Sequence, residues 1–103
     1  MQIVYNREVH VFIKKLEKRS QSKVLQNIDL LETYGQNLRM PYVKKMTNVL
    51  YELRISGQQS VRIFFAFYDG QIFLIHGFIK KTQKTPKKEI FTAERRYRLF
   101  TKI

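Results

Sequence analysis

Three lysines directly follow an apolar run in the last third of the chain. The run covers residues 72–79, Lys80, Lys81 and Lys84 come after it, and Thr85-Pro86 has the pattern of a helix start. A strand that ends in a cluster of cations beside a basic helix is a favourable place for phosphate groups. The sequence therefore predicts a phosphate-binding site at the end of this strand.

Two arginines and a glutamate lie on the strands predicted just before this cluster. Glu52 and Arg54 are two residues apart, so they point to one face of a strand, and Arg62 on the next strand can join them. A charge in mid-strand is costly unless it faces solvent or a partner. One interpretation pairs Arg62 with Glu52 on a solvated sheet face. The other is a concave basic surface that binds an RNA or DNA backbone while aromatic side chains stack on bases.

His76 is the imidazole nearest to these cations in sequence. Imidazole chemistry suits general acid or base catalysis at neutral pH. However, His76 lies inside an apolar strand, where the alternation places Leu74 and Phe78 on its own face. This pattern favours a packed, hydrogen-bonded histidine, with catalysis as the alternative.

Several other kinds of site are disfavoured by the residues present. The chain has no cysteine, which excludes disulfides, thiol nucleophiles and thiolate metal sites. The carboxylates are few and scattered, and His10 lies far from His76, so no metal-ligand spacing is found. The four glycines stand singly, without a phosphate-binding loop or a dinucleotide fingerprint. We therefore expect neither a metal nor a cofactor.

Length and charge narrow the class of protein. A chain of 103 residues predicts a single domain over 1–103. The formal net charge is +12, and residues 76–103 contribute +7 through nine basic and two acidic groups. This asymmetry favours RNA or DNA as a partner ahead of a membrane, although an acidic protein would be attracted by the same field. No signal peptide pattern or membrane-length apolar run is visible, which predicts a soluble cytoplasmic protein with no membrane partner.

Two helices are predicted before the sheet. Asn6 is a suitable N-cap for the first, whose apolar stripe is Val9, Phe12, Ile13 and Leu16. The polar segment 18–22 separates it from a second helix that runs from about Ser22 to Tyr34-Gly35, with an apolar stripe of Val24, Leu25, Ile28 and Leu31. The short link predicts an αα-hairpin.

Strands dominate the middle of the chain. Residues 3–5 fit a short first strand, residues 35–48 are predicted as a loop, and strands are expected over 50–55, 61–68 and 72–79. Asp69-Gly70 is a strong hairpin signal. The last helix should take Thr85 as N-cap and Pro86 as its first residue. Its apolar stripe is Ile90, Ala93, Tyr97 and Phe100. The predicted fold class is α+β: an N-terminal helical hairpin on a small antiparallel β-sheet, with a C-terminal helix.

Four short blocks resemble a known family. They are Tyr51-Glu52-Leu53-Arg54, Arg62-Ile63-Phe64-Phe65, His76-Gly77-Phe78-Ile79-Lys80-Lys81 with Lys84-Thr85-Pro86, and Glu89-Ile90 with Ala93 and Arg96. Together with the order of elements, they resemble the HigB-like branch of the RelE/ParE toxin superfamily, which includes phage-derived Gp49-like members. The third block is the most specific of the four.

This resemblance implies the toxin of a type II toxin–antitoxin system, a metal-independent endoribonuclease that cleaves mRNA on the ribosome and inhibits translation. It also implies a RelE-like fold and a helix-turn-helix, HigA-like antitoxin as partner. By position, the residues that would contact the scissile phosphate are Arg54, Arg62, Lys80 and Lys81. The candidate RNA-binding cations are Lys84, Lys44, Lys45, Lys87, Lys88 and Arg95. His76 and Glu52 are further candidates at the site.

One residue departs from the pattern of the family. Many RelE-type toxins carry a tyrosine near the start of the last helix, where this chain has Phe91, which cannot transfer a proton. Two alternative functions stay open at this stage. One is a ParE-like inhibitor of DNA gyrase that does not cleave RNA, since one fold can carry different functions. The other is a generic basic module that binds nucleic acid.

Overall fold

The chain folds into a five-stranded mixed β-sheet with helices on both of its faces. The computed structural model describes residues 1–102. The elements in chain order are β1 (Gln2–Tyr5), α1 (Arg7–Lys14), α2 (Lys18–Tyr34), a 3-10 turn (Gly35–Asn37), β2 (Val43–Lys45), β3 (Tyr51–Ile55), β4 (Val61–Tyr68), β5 (Gln71–Ile79) and α3 (Lys87–Thr101). In the part of the chain described, no helix has the length and apolar composition needed to cross a membrane.

The strand order is β1-β5-β4-β3-β2. The predicted antiparallel meander of β3, β4 and β5 is confirmed. The prediction of a wholly antiparallel sheet is wrong, because β1 pairs with β5 in parallel. The helices α1 and α2 follow β1 and carry the chain across the sheet, so that β2 forms the opposite edge. The α+β class is confirmed, but a strand precedes the helical hairpin and the sheet is mixed.

A short strand replaces part of the predicted loop over residues 35–48. Val43–Lys45 forms β2, which pairs with β3 so that Lys44 lies opposite Glu52 and Lys45 opposite Tyr51. Three residues are too few to show a period of two, so the sequence alone offers no strand signal here. Backbone hydrogen bonds to β3 stabilise this strand once the sheet has formed.

The second helix begins one turn earlier than predicted. It starts at Lys18 rather than near Ser22, because the polar segment forms its first turn. Ser20 in that turn is buried and its hydroxyl donates to Oε1 of Gln59 at 2.8 Å. Leu25, predicted on the apolar face, is exposed instead.

One of the two predicted N-caps is confirmed and the other is wrong. Asn6 caps α1 as predicted, since its Oδ1 accepts a hydrogen bond from the backbone N–H of Glu8 at 2.9 Å. Thr85 does not cap α3; its hydroxyl donates to Oε2 of Glu52 at 3.0 Å, and Pro86 occupies the N-cap position. A side chain with a partner in the sheet is therefore not free to cap its own helix.

The hydrophobic core has two parts, one on each face of the sheet. The helices α1 and α2 and the link between them cover one face with Val9, Ile13, Leu16, Val24, Ile28 and Leu31. The helix α3 covers the other face through Ala93, Ile90 and Tyr97, which pack against Phe64, Ala66, Phe73, Ile75 and Phe78. The charged residues of β3 and β4 lie on this second face, beyond the apolar patch that α3 covers.

An irregularity in the ladder between β4 and β5 decides which way His76 faces. The register shifts between Phe64 and Phe65, so Phe64 pairs with His76 while Phe65 pairs with Leu74. One residue of β5 is left without a partner, which reverses the alternation. Leu74 therefore joins the core under α1 and α2, and the prediction that it shares the face of His76 is wrong. Phe78 does share that face, with its ring centroid 5.8 Å from that of His76.

Gly77 of β5 lies in close contact with Phe12 of α1. A Cβ atom there would overlap the ring of Phe12 and lie 2.7 Å from Cε2. We expect Gly77→Ala to lower the free energy of unfolding by about 1–3 kcal/mol, the usual range for overpacking a core. Urea denaturation followed by circular dichroism measures this change.

The matched test of this contact is the double variant Gly77→Ala/Phe12→Leu. The smaller side chain at position 12 leaves room for the added methyl group, so the double variant should lose less stability than the sum of the two single changes. Strict additivity of the two effects would contradict the contact.

Candidate active site

The structure brings the four predicted catalytic cations to one open cleft. The cleft has a volume of about 440 Å³ and lies where β3 and β5 end and β4 begins, next to the β5–α3 loop. Its lining residues are all polar or charged: Arg54, Ser60, Arg62, Lys80, Lys81, Thr82 and Gln83. Residues separated by up to 29 positions in sequence thus form a single cationic surface.

Strand register explains why these side chains meet. Arg54 and Arg62 lie directly opposite each other on β3 and β4. At the end of β5, the backbone N–H of Lys80 donates to the carbonyl of Ser60 at 2.7 Å, which holds the lysine pair beside the same end of the sheet. Antiparallel pairing places opposite residues on the same face, so the two guanidinium groups share one side of the sheet.

The Glu52 carboxylate lies close to both arginines of the cleft. Its side chain is buried, with 1% of the residue exposed. Oε1 lies 3.7 Å from Nε of Arg54 and 3.7 Å from Nε of Arg62, while Oε2 accepts the hydrogen bond from Thr85. Two like charges directly across a pair of strands repel each other. The carboxylate offsets this repulsion and ties both arginines to the loop before α3.

Arg62 is a buried charge whose hydrogen bonding is incomplete. It is 6% exposed; Nη1 donates to the carbonyl of Val61 at 3.0 Å, and Nε has no hydrogen-bond partner. Burial lowers the pKa of Arg62, the Glu52 carboxylate raises it, and the Arg54 guanidinium lowers it further. The predicted pairing of Arg62 with Glu52 is present, but the two residues are buried rather than on a solvated face.

The family of the chain follows from a comparison with known proteins. Residues 11–98 match the family model described as "Phage derived protein Gp49-like (DUF891)". The chain belongs to this family. The match runs from within α1 to within α3 and contains every residue that lines the cleft. The Gp49-like family includes toxin-like proteins. No curated protein was found to match the sequence.

In this Gp49-like protein both ring nitrogens of His76 are engaged. Nη1 of Arg96 lies 3.0 Å from Nδ1, and Oε1 of Glu89 lies 2.8 Å from Nε2. A guanidinium can only donate, so Nδ1 accepts and Nε2 carries the proton that is donated to Glu89. The lone pair that a general base would use is thus occupied, and His76 does not line the cleft. This is the geometry of a packed, hydrogen-bonded histidine that links β5 to α3.

The candidate RNA-binding lysines of β2 and of the β5–α3 loop do not line the cleft, and Lys45, opposite Tyr51, lies on the other face of the sheet. Lys84 is exposed in that loop, where its carbonyl accepts a hydrogen bond from the Thr82 hydroxyl at 2.7 Å. Lys44 and Lys45 are exposed on β2 at the edge of the sheet. Lys44, opposite Glu52, lies on the face that carries the arginines.

The predicted RNA-binding residues of α3 lie elsewhere. Lys87 and Lys88 are exposed in the first turn of the helix. Arg95 lines a cleft on the outer side of α3 and a groove between α3 and the start of the chain, and neither contains a residue of the cationic cleft. The structure therefore separates Arg95 from the site to which it was assigned.

Sequence reasoning missed four polar residues of the site in this Gp49-like protein. Ser60, Thr82 and Gln83 line the cleft, and Thr85 bonds to Glu52 across 33 positions in sequence. Thr85 had a helix-capping signal, so it already had a local explanation. Among the described residues, no group of three or more His, Cys, Asp or Glu side chains is placed to hold a metal ion.

Proposed function

We propose that this Gp49-like protein is the toxin of a type II toxin–antitoxin system, acting in the cytoplasm as an endoribonuclease on ribosome-bound mRNA. The observation that carries the proposal is the convergence of Arg54, Arg62, Lys80 and Lys81 on one open cleft. Together with the buried Glu52 carboxylate beside the two arginines, these four cations leave a net charge of +3. Such a cleft attracts a phosphodiester and stabilises negative charge that builds up on it.

The reaction that fits these residues uses the RNA as its own nucleophile. The 2′-oxygen attacks the adjacent phosphorus, the bond from phosphorus to the 5′-oxygen breaks, and the proton of the 2′-hydroxyl is finally taken up by the leaving 5′-oxygen. The products are a 2′,3′-cyclic phosphate and a 5′-hydroxyl. Arg54 and Arg62 can donate charge-assisted hydrogen bonds to the phosphoryl oxygens, and the two lysines add positive charge.

The ribosome supplies the orientation that the cleft lacks. The cleft is open and has no deep pocket for a nucleobase, so the ribosome rather than the toxin must position the message. Orientation of reacting groups can contribute roughly 7–11 kcal/mol to lowering a barrier. We therefore expect weak activity on naked RNA, and we propose that a helix-turn-helix, HigA-like antitoxin silences the toxin.

Lys81→Ala tests the proposal with little risk to the fold, because Lys81 is exposed. In a translating extract, mapping of message 5′ ends should show cutting by the wild type and a rate reduced about 10- to 100-fold in the variant. That range corresponds to the loss of one hydrogen bond to a charged group. Lys15→Ala removes the same charge from the end of α1, across the sheet, and should cut at the wild-type rate.

Two results would contradict this proposal. Equal cutting by wild type and Lys81→Ala would remove the cleft from the reaction. Inhibition of supercoiling by purified gyrase, without message cleavage, would assign the ParE-like function instead.

A further inference from the structure

A second cationic surface lies on the outer side of α3, apart from the cleft. Five exposed cations on this helix and at its C-cap make no ion pair with any other described residue: Lys87, Lys88, Arg95, Arg98 and Lys102. Of the two acidic residues of the helix, Glu89 is bound to His76 and Glu94 is half-buried. The outer side of α3 therefore carries a strong excess of positive charge.

The same side of α3 exposes large apolar side chains. Phe91 is 75% exposed and Leu99 is 68% exposed, the two highest values among the large apolar residues that the structure describes. Arg95 lies between them at a spacing of four residues on each side, so the three side chains form a stripe. Single exposed apolar residues are common, but two on one helical stripe mark an interaction surface more strongly.

Leu99 also borders a groove of about 560 Å³ between α3 and the start of the chain. Val4, Phe73 and Phe100 contribute apolar side chains to this groove, and Arg95 lies on its α3 side. Apolar surface beside cations suits a ligand that has both apolar and acidic groups.

The opposite side of the groove carries no net charge. Glu8 and Arg7, both from the first turn of α1, are part of its lining. Tyr5 lines it too, and burial, followed by the charges of Glu32 and Asp29, raises the pKa of its hydroxyl. Arg95 and Arg96 line the α3 side, so a negatively charged ligand gains most by directing its charges toward α3.

We propose that this groove and the outer side of α3 bind an acidic amphipathic helix of a protein partner. The apolar side chains of that helix would fill the groove beside Leu99 and Phe100, and its carboxylates would face Arg95 and Arg98. This interaction goes beyond the proposed nuclease, because it needs neither RNA nor the cationic cleft.

Charge and shape distinguish this occupant from two others. A second copy of the chain would bring another +12 and the same cationic helix, which opposes association. Nucleic acid would gain from Arg95 and Arg98 and from stacking on the exposed ring of Phe91, but it would leave the aliphatic side chains of Leu99 and Val4 without an apolar partner. An acidic amphipathic helix uses both parts of the surface.

The test is selection of binders from a displayed library of random 16-residue peptides on the purified full chain, followed by fluorescence polarisation with the enriched peptides. We expect enriched sequences with Asp or Glu on one helical side and apolar residues at spacings of three and four. Leu99→Ser and Arg95→Glu should each weaken binding about tenfold. Lys15→Glu reverses a charge remote from α3 and should change the affinity by less than about threefold.

Three outcomes would overturn the proposal: no enrichment of acidic peptides, full affinity in Leu99→Ser, or affinity that falls equally in Lys15→Glu and Arg95→Glu. An RNA oligonucleotide that binds with dependence on both Arg95 and Leu99, and competes with the peptides, would assign the surface to nucleic acid. Because Leu99 is exposed, its substitution should leave thermal unfolding and message cleavage unchanged. Failure of this test and failure of the nuclease proposal are thus separate results.

Discussion

Arg62→Ala is expected to lower the rate of message cleavage about 100- to 1000-fold. That range is typical for removing one preorganised donor to developing negative charge. Arg62 should have the largest effect of the four cations because it is 6% exposed and held beside Glu52, so its position is set before substrate binds. The exposed Lys81 must first lose side-chain freedom and should contribute less.

Loss of folding must be separated from loss of chemistry in this variant. Removing Arg62 leaves the Glu52 carboxylate with Arg54 and Thr85 as partners, so some destabilisation is expected. Cleavage should therefore be measured well below the unfolding temperature of the variant, with Arg19→Ala on the exposed first turn of α2 as the matched control. Arg62→Lys keeps the charge and should recover part of the rate. Wild-type cutting by a folded Arg62→Ala protein would exclude a role for this residue.

Glu52→Ala is expected to lower the free energy of unfolding by about 3–5 kcal/mol, the usual cost of removing one partner of a buried ion pair. The variant leaves Arg62 buried beside Arg54 with no carboxylate nearby, and it deprives the Thr85 hydroxyl of its acceptor. Urea denaturation measures the change. Glu32→Ala, on an exposed position of α2, should shift the same quantity by less than about 0.5 kcal/mol.

Glu52→Gln separates the two roles of this side chain. The amide oxygen can still accept from Thr85, but the negative charge between the two arginines is lost. We expect a loss of stability between zero and that of Glu52→Ala. The free-energy barrier to cleavage should rise by more than the free energy of unfolding falls, because repulsion moves the two arginines apart. Equal stability of Glu52→Ala and wild type would show that the buried carboxylate does not hold the arginines.

Much of the site could be predicted from the alternation of side chains along single strands. The period of two predicted that Glu52 and Arg54 share a face, and the register of β3 against β4 adds Arg62 to it. Asp69-Gly70 predicted the hairpin between β4 and β5, and both residues have the positive φ values, 51° and 73°, that such a turn requires. The lysines after β5 were predicted at the end of the sheet, where they lie.

Predictions from side-chain alternation were wrong where the backbone is irregular or the element is very short. The register shift beside Phe64 changed the side on which Leu74 lies, and no residue type signals such a shift. The three residues of β2 carry no periodic signal, and Thr85 had a plausible local role that its bond to Glu52 overrides. Each of these errors concerns a partner distant in sequence.

By itself, the amino-acid sequence determined the α+β class, the three-stranded meander, the charge asymmetry and the types of residue that can bind phosphate. These properties depend on side-chain period, turn chemistry and composition, which act over a few neighbouring residues. The tertiary structure alone decided the parallel place of β1, the burial of Glu52 under two arginines, and the groove between β1 and α3. Such features depend on which distant segments pack together, and that choice reflects the free energy of the whole chain rather than any local pattern.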